Sequence, residues 1–165
     1  MKNIILIGMP GVGKSTVGVI LAKMIGYEFV DSDLVIQREE GMLLREIIAK
    51  KGLDGFIEVE NRVNSELTPV RSVVATGGSV VYGSGAMEHF REIGTIVYLR
   101  QSFEELDRRL NNIRNRGVVF REGQSLKNLY DERCVLYEKY ADVTVDEEGL
   151  DIEQTIEAVM SALGM

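Results

Sequence analysis

Residues 8–15 read Gly8-Met9-Pro10-Gly11-Val12-Gly13-Lys14-Ser15, which matches G-x-x-x-x-G-K-[ST] at every fixed position. Polyphosphate is large and densely charged, so a backbone that binds it must wrap it with N–H donors. Glycine reaches the dihedrals this requires and keeps side chains out of the way. The motif is informative when it follows a strand and opens a helix. Asn3 to Ile7 is a short apolar run stopped by Gly8, which suits a buried strand. Lys14 to Ile25 sets Val17, Ile20, Leu21 and Met24 at helical spacing, and Gly26 supplies a stop. A glycine-rich turn that matches by chance is the rival reading, and both flanking elements weigh against it.

The helix opening near Gly13 turns its N-terminal amides and dipole toward the phosphates. Lys14 reaches the β- and γ-phosphates as a point charge, and Ser15 offers a hydroxyl to Mg²⁺, a cation that prefers oxygen ligands. The candidate nucleotide-binding residues are therefore Gly11, Val12, Gly13, Lys14, Ser15 and Thr16. ATP and Mg²⁺ are the implied co-substrate and metal. No N-K-x-D-like segment is present to read guanine.

Outward from this loop, strand and helix patterns alternate. Glu28 to Val30 reads as a second strand ending at Asp31, and residues 33–66 as helices broken near Gly41 and Gly52. Ser72 to Ala75 is a third strand, stopped by Thr76-Gly77-Gly78, and Met87 to Glu92 a short helix. A fourth strand spans Thr95 to Leu99, an amphipathic helix Phe103 to Ile113, and a polar, glycine-containing loop Asn115 to Gln124. Leu126 to Tyr140 is helical, Val143 to Val145 a fifth strand, and Asp151 to Leu163 a last helix. Such alternation implies an α/β fold, with three α/β/α layers around a five-stranded parallel sheet. A single domain over residues 1–165 is expected.

Composition narrows the function. A net charge of −7 disfavours nucleic-acid partners, whose phosphates are bound largely by basic side chains. One cysteine, Cys134, and one histidine, His89, leave no disulfide framework, no Cys- or His-rich metal site and no Ser-His-Asp arrangement. The longest apolar runs are too short to span a bilayer. A cytoplasmic monomer with no membrane partner is expected.

With these motifs in place, the chain resembles the shikimate kinases, within the nucleoside-monophosphate-kinase-like group of P-loop enzymes. Gly26-Tyr27-Glu28-Phe29-Val30-Asp31-Ser32-Asp33 resembles the family's G-x-x-F-x-D-[ST]-D. Ala75-Thr76-Gly77-Gly78-Ser79 resembles its A-T-G-G-G, and Arg133 with Tyr137 its late R-x-x-x-Y helix. The likeness covers essentially the whole chain and implies transfer of the ATP γ-phosphoryl group to a small hydroxylated acceptor, shikimate first. It implies that Asp31 holds Mg²⁺ through water and that Asp33 accepts from the acceptor hydroxyl. Gly77 and Gly78 would offer amides near the acceptor, Arg133 would pair with its carboxylate, Arg109 would stack on adenine, and Arg116 would close over the phosphoryl group. Lys14, Asp33 and Arg116 are thus the candidate catalytic residues, and residues 114–125 the mobile lid, which also carries Arg114 and Arg121. The residues themselves agree in outline, because Asp31 and Asp33 end a strand at the sheet edge where ligands bind. Read as extended chain, they would point in opposite directions, one to metal and one to acceptor. A capping Asp-Ser-Asp turn is the alternative.

Three positions depart from the pattern. Ile57 stands in Phe56-Ile57-Glu58-Val59-Glu60 where the family's F-R-x-x-E carries arginine; Ser79 replaces the third glycine of G-G-G; and Gly117 follows Arg116 where proline is usual. Losing one of two arginines on a carboxylate costs about 1.5–3 kcal/mol, or about one to two orders of magnitude in affinity. Either Arg133 carries the anion alone, or Arg62 or Arg45 compensates, or the acceptor is another hydroxylated metabolite. A nucleotide-binding regulatory protein without transfer activity is a further alternative. Glu60 is read as orienting Arg133 or facing water, Glu147-Glu148 as a solvated turn, and His89 and Cys134 as structural.

Overall fold

The computed structural model describes residues 2–111 and 124–165, and the expectations for Arg114, Arg116, Gly117 and Arg121 lie outside the described residues. Five strands form one sheet: β1 (Asn3–Ile7), β2 (Glu28–Asp31), β3 (Ser72–Ala75), β4 (Gly94–Arg100) and β5 (Val143–Asp146). Every pairing is parallel, in the order β2-β3-β1-β4-β5. The described helices are α1 (Lys14–Ile25), α2 (Ser32–Glu40), α3 (Leu44–Ser65), α4 (Ser84–Ile93), α5 (Phe103–Asn111), α6 (Leu126–Tyr140) and α7 (Ile152–Ala162). None of them is long and apolar enough to cross a membrane.

Central β1 and β3 are buried at every residue, as a parallel sheet covered on both faces requires. The core joins Ile5, Leu6, Val74, Val97 and Leu99 of the strands to Leu21, Phe90 and Val159 of the covering helices. A second cluster, Ile36, Ile47, Phe56 and Val63, fastens α2 to α3 and packs against Val30 of β2. Gly52, at φ 74 and ψ 175, kinks α3 where the sequence places a break. Helix α4 begins three residues before its sequence signal, because Ser84-Gly85 carries no helical periodicity, and a 3-10 turn at Val80–Tyr82 had no signal at all.

Strand order sets the position of the site. The chain crosses from β1 to one side of the sheet, then returns for β4 on the other. The carboxyl ends of β1, β3 and β4 therefore border a crevice, the place where open parallel sheets bind ligands.

Candidate active site

The loop of residues 8–13 leaves β1 at this crevice. Gly8, at φ 151, lies so close to β4 that a Cβ there would stand 2.6 Å from the Leu99 carbonyl oxygen. Gly11 and Gly13 also hold positive φ, at 89 and 88, and Gly13 leads directly into α1. The amide end of α1 consequently faces the space the loop encloses. Lys14 bends back over the loop and donates through Nζ to the carbonyl oxygens of Gly8 and Met9, at 2.7 and 2.9 Å. Only 8% exposed, it is pushed down to about 8 by burial, against the opposing pull of Asp33. An ammonium so poorly hydrated gains strongly from an incoming anion.

Ser15 Oγ donates to Asp31 Oδ2 at 3.4 Å. Asp31 also caps α2, its Oδ1 accepting from the amides of Asp33 and Leu34 at 3.0 and 3.4 Å. Asp33 is thus helical, not extended. The chain turns from strand to helix between the two aspartates, so the capping Asp-Ser-Asp turn stands in place of the alternation argument. Burial, then the Asp31 charge, raises Asp33 to about 6.

Three chain segments converge beyond Asp33. Thr76 Oγ1 donates to the Leu6 carbonyl at 2.8 Å and ties β3's exit to β1. Cβ atoms on the next two residues would collide with functional groups. On Gly77 one would stand 2.8 Å from Asp33 Oδ1, and on Gly78 one would stand 2.9 Å from Arg133 Nη1 and 2.7 Å from Pro10 Cδ. Arg133 is 2% exposed, and its guanidinium lies 5.5 Å over the Tyr82 ring. One turn later on α6, Tyr137 donates to the Gly78 carbonyl at 2.6 Å. Among the possible substitutes for the missing arginine, Arg62 turns outward to Glu40 and Glu39, at 2.8 and 3.7 Å, and Arg45 is exposed. Neither lines the cleft beside Lys14 and Asp33. Ile57 is half-buried on α3.

Two clefts meet at the loop. One, about 470 Å³, is lined by Gly11, Lys14, Ser15, Asp33, Gly77 and Gly78 among others. The other, about 520 Å³, runs along Val12, Gly13 and Thr16 to Leu150 and Ile152. Arg109 lines both; it donates to the Gly11 carbonyl at 2.7 Å and to Glu105 Oε1 at 2.9 Å.

Sequence reasoning missed Glu147. Far from a solvated turn residue, it is 4% exposed, lines the second cleft, and is raised to about 7 by burial. Its position just past β5, on the ligand-binding edge of a parallel sheet, was the available signal. Glu148 is exposed, as expected. His89 Nε2 lies 2.6 Å from the Leu67 carbonyl oxygen, and half-buried Cys134 accepts from Tyr98 Oη at 3.4 Å, both structural roles.

The family model described as shikimate kinase matches residues 10–164. A shikimate kinase of Thermodesulfovibrio yellowstonii is 40% identical over 163 residues, 97% of this chain and 94% of its own length. Among solved structures, shikimate kinase from Acinetobacter baumannii in complex with shikimate superposes with a TM-score of 0.87 at 33% identity, covering 99% of this chain and 94% of the other. The Aquifex aeolicus shikimate kinase gives 0.82 at 32% identity, with 98% and 96% covered. A glycine-lined anion loop, a strand-end aspartate pair and a buried arginine facing Gly78 thus stand on a backbone that such relatives share along almost its full length, and the chain belongs to the shikimate kinase family.

Proposed function

We propose that this protein transfers the γ-phosphoryl group of ATP to a hydroxyl of shikimate. The observation that carries the reading is the convergence of Lys14, Asp33, Gly77, Gly78 and Arg133 around one crevice, in a chain 40% identical to a shikimate kinase. ATP places its polyphosphate in the loop of residues 8–15, with the amides of Gly11 to Thr16 as donors. Its nucleoside lies in the cleft between Arg109 and Ile152.

Ser15 and Asp31 supply a hydroxyl and a carboxylate that already meet at 3.4 Å, a donor set suited to Mg²⁺ with water and phosphate oxygens completing the shell. Ser15 and Asp31 would hold the ion, which would supply charge neutralisation at the phosphates. Lys14 exchanges its two loop carbonyls for phosphate oxygens. Asp33 orients the acceptor hydroxyl and accepts its proton as the oxygen bonds to the γ-phosphorus and the bond from that phosphorus to the β–γ bridging oxygen breaks, releasing ADP. Arg133 pairs with the acceptor carboxylate, and Arg116 is assigned to the transferring phosphoryl group. Catalysis on these terms is positioning and charge compensation. The protein is assigned to the cytoplasm as a monomer.

A second reading, transfer to a different hydroxylated metabolite, rests on Ile57. ADP release measured with Mg-ATP against a panel of acceptors decides between them. Shikimate-dependent release is expected; none above background at saturating shikimate refutes the assignment.

A further inference from the structure

Glu60 lies toward the C-terminal end of α3, 1% exposed, and Ser79 Oγ donates to its Oε1 at 2.6 Å. Ser79 occupies the position where the family's glycine triplet ends, so this hydrogen bond depends on a side chain that a glycine could not supply. The second oxygen, Oε2, is buried with no hydrogen-bond partner among the described residues, and so is Asp33 Oδ1. Both stand within 3.0 Å of the point a Cβ on Gly77 would occupy, so they are less than 6 Å apart. The adjoining Gly78 faces Arg133 Nη1. A buried carboxylate oxygen without a hydrogen bond is costly, and such atoms are rarely left so unless a ligand completes them. Glu60 Oε2 and Asp33 Oδ1 are alike buried, and both stand beside Gly77, which together with Asp33 lines the cleft next to Lys14.

We infer that Glu60, oriented by Ser79, is a second acceptor-binding carboxylate, whose Oε2 takes the hydrogen of an acceptor hydroxyl other than the one phosphorylated. The inference rests on the proposed acceptor class and sharpens it. The site then asks for one anionic group, for Arg133, and two hydroxyls, for Asp33 and Glu60. Ser79 is a positioning residue that acts through Glu60. Its hydrogen bond fixes which oxygen is left for the ligand.

The test compares shikimate with analogues that each lack one non-reacting hydroxyl, in the wild-type protein and in Ser79→Ala and Glu60→Gln. In Glu60→Gln, Ser79 holds the amide oxygen and leaves an NH₂ facing the acceptor, a donor where an acceptor is needed. For wild type, one analogue is expected to lose about 10- to 100-fold in kcat/KM. Both variants should shrink that gap to about threefold or less, raise KM for shikimate itself and leave KM for ATP unchanged. Ser79→Ala keeps the test open should Glu60→Gln fold poorly. The inference is overturned if the wild type shows no gap, or if the variants weaken shikimate and every analogue by the same factor, as a purely structural role would. Wild-type turnover that is independent of shikimate would overturn the proposed function and this inference together.

Discussion

Tyr137 donates its phenolic hydrogen to the carbonyl oxygen of Gly78 at 2.6 Å, across 59 residues of sequence. One turn earlier on the same face of α6, Arg133 presents Nη1 toward Gly78. The R-x-x-x-Y spacing thus has a mechanical meaning: the tyrosine clamps the glycine against which the arginine works. Tyr137→Phe leaves that carbonyl without its donor, at a cost of about 1–3 kcal/mol. Denaturant melts should show this loss, and steady-state kinetics should show a raised KM for the acceptor with KM for ATP little changed. An unchanged acceptor KM would mean the clamp has no functional consequence.

Lys14 is a desolvated ammonium held by two carbonyls and pushed down to about 8. Function and stability therefore pull apart at this residue. Lys14→Met should cut kcat by about 100-fold or more while leaving the unfolding free energy in the absence of nucleotide within about 1 kcal/mol of wild type. Calorimetry should show weakened Mg-ATP binding. A large loss of stability would contradict the idea that burial works against this charge.

Gly8 combines φ 151 with a Cβ position 2.6 Å from the backbone oxygen of Leu99. Backbone cannot step aside as a side-chain tip can. Gly8→Ala should cost about 2–4 kcal/mol from strain and overpacking together and lower the melting temperature. Gly13→Ala meets nothing within 4 Å among the described residues and carries only the cost of its positive φ, so it should be the milder change. Equal losses at the two sites would refute the steric account of Gly8.

Burial raises Asp33 to about 6 and both Glu60 and Glu147 to about 7, and lowers Lys14 to about 8. Between the ordinary carboxyl range and pH 7 the folded state therefore holds more protons than the unfolded chain, so stability falls as pH rises. Between pH 8 and the ordinary lysine value the folded state holds fewer, so stability rises with pH. These four groups together predict a shallow minimum near neutrality in the absence of ligand. Melting temperatures from pH 4.5 to 9 check this, and Glu147→Gln should flatten the acid limb. A steady gain in stability from pH 4.5 to 7 would rule it out.

Much of this was legible along the chain. The strand of Asn3–Ile7, the loop and α1 are local: a short apolar run, glycines where positive φ is needed, and a helical apolar stripe each declare themselves within a few residues. Sequence alone thus determined the alternating α/β order, the anion-binding loop, and the family pattern that pointed to Asp31, Asp33, Gly77, Gly78 and Arg133. Tertiary structure alone decided what depends on groups far apart in sequence meeting in low dielectric. Asp33 proved to be helical, capped by its neighbour; Glu147 lies buried in a cleft; Arg62 faces outward; and Ser79 holds Glu60 across 19 residues. Hydrogen-bond partners and desolvation are properties of that assembled packing, and no local pattern of residue types encodes them.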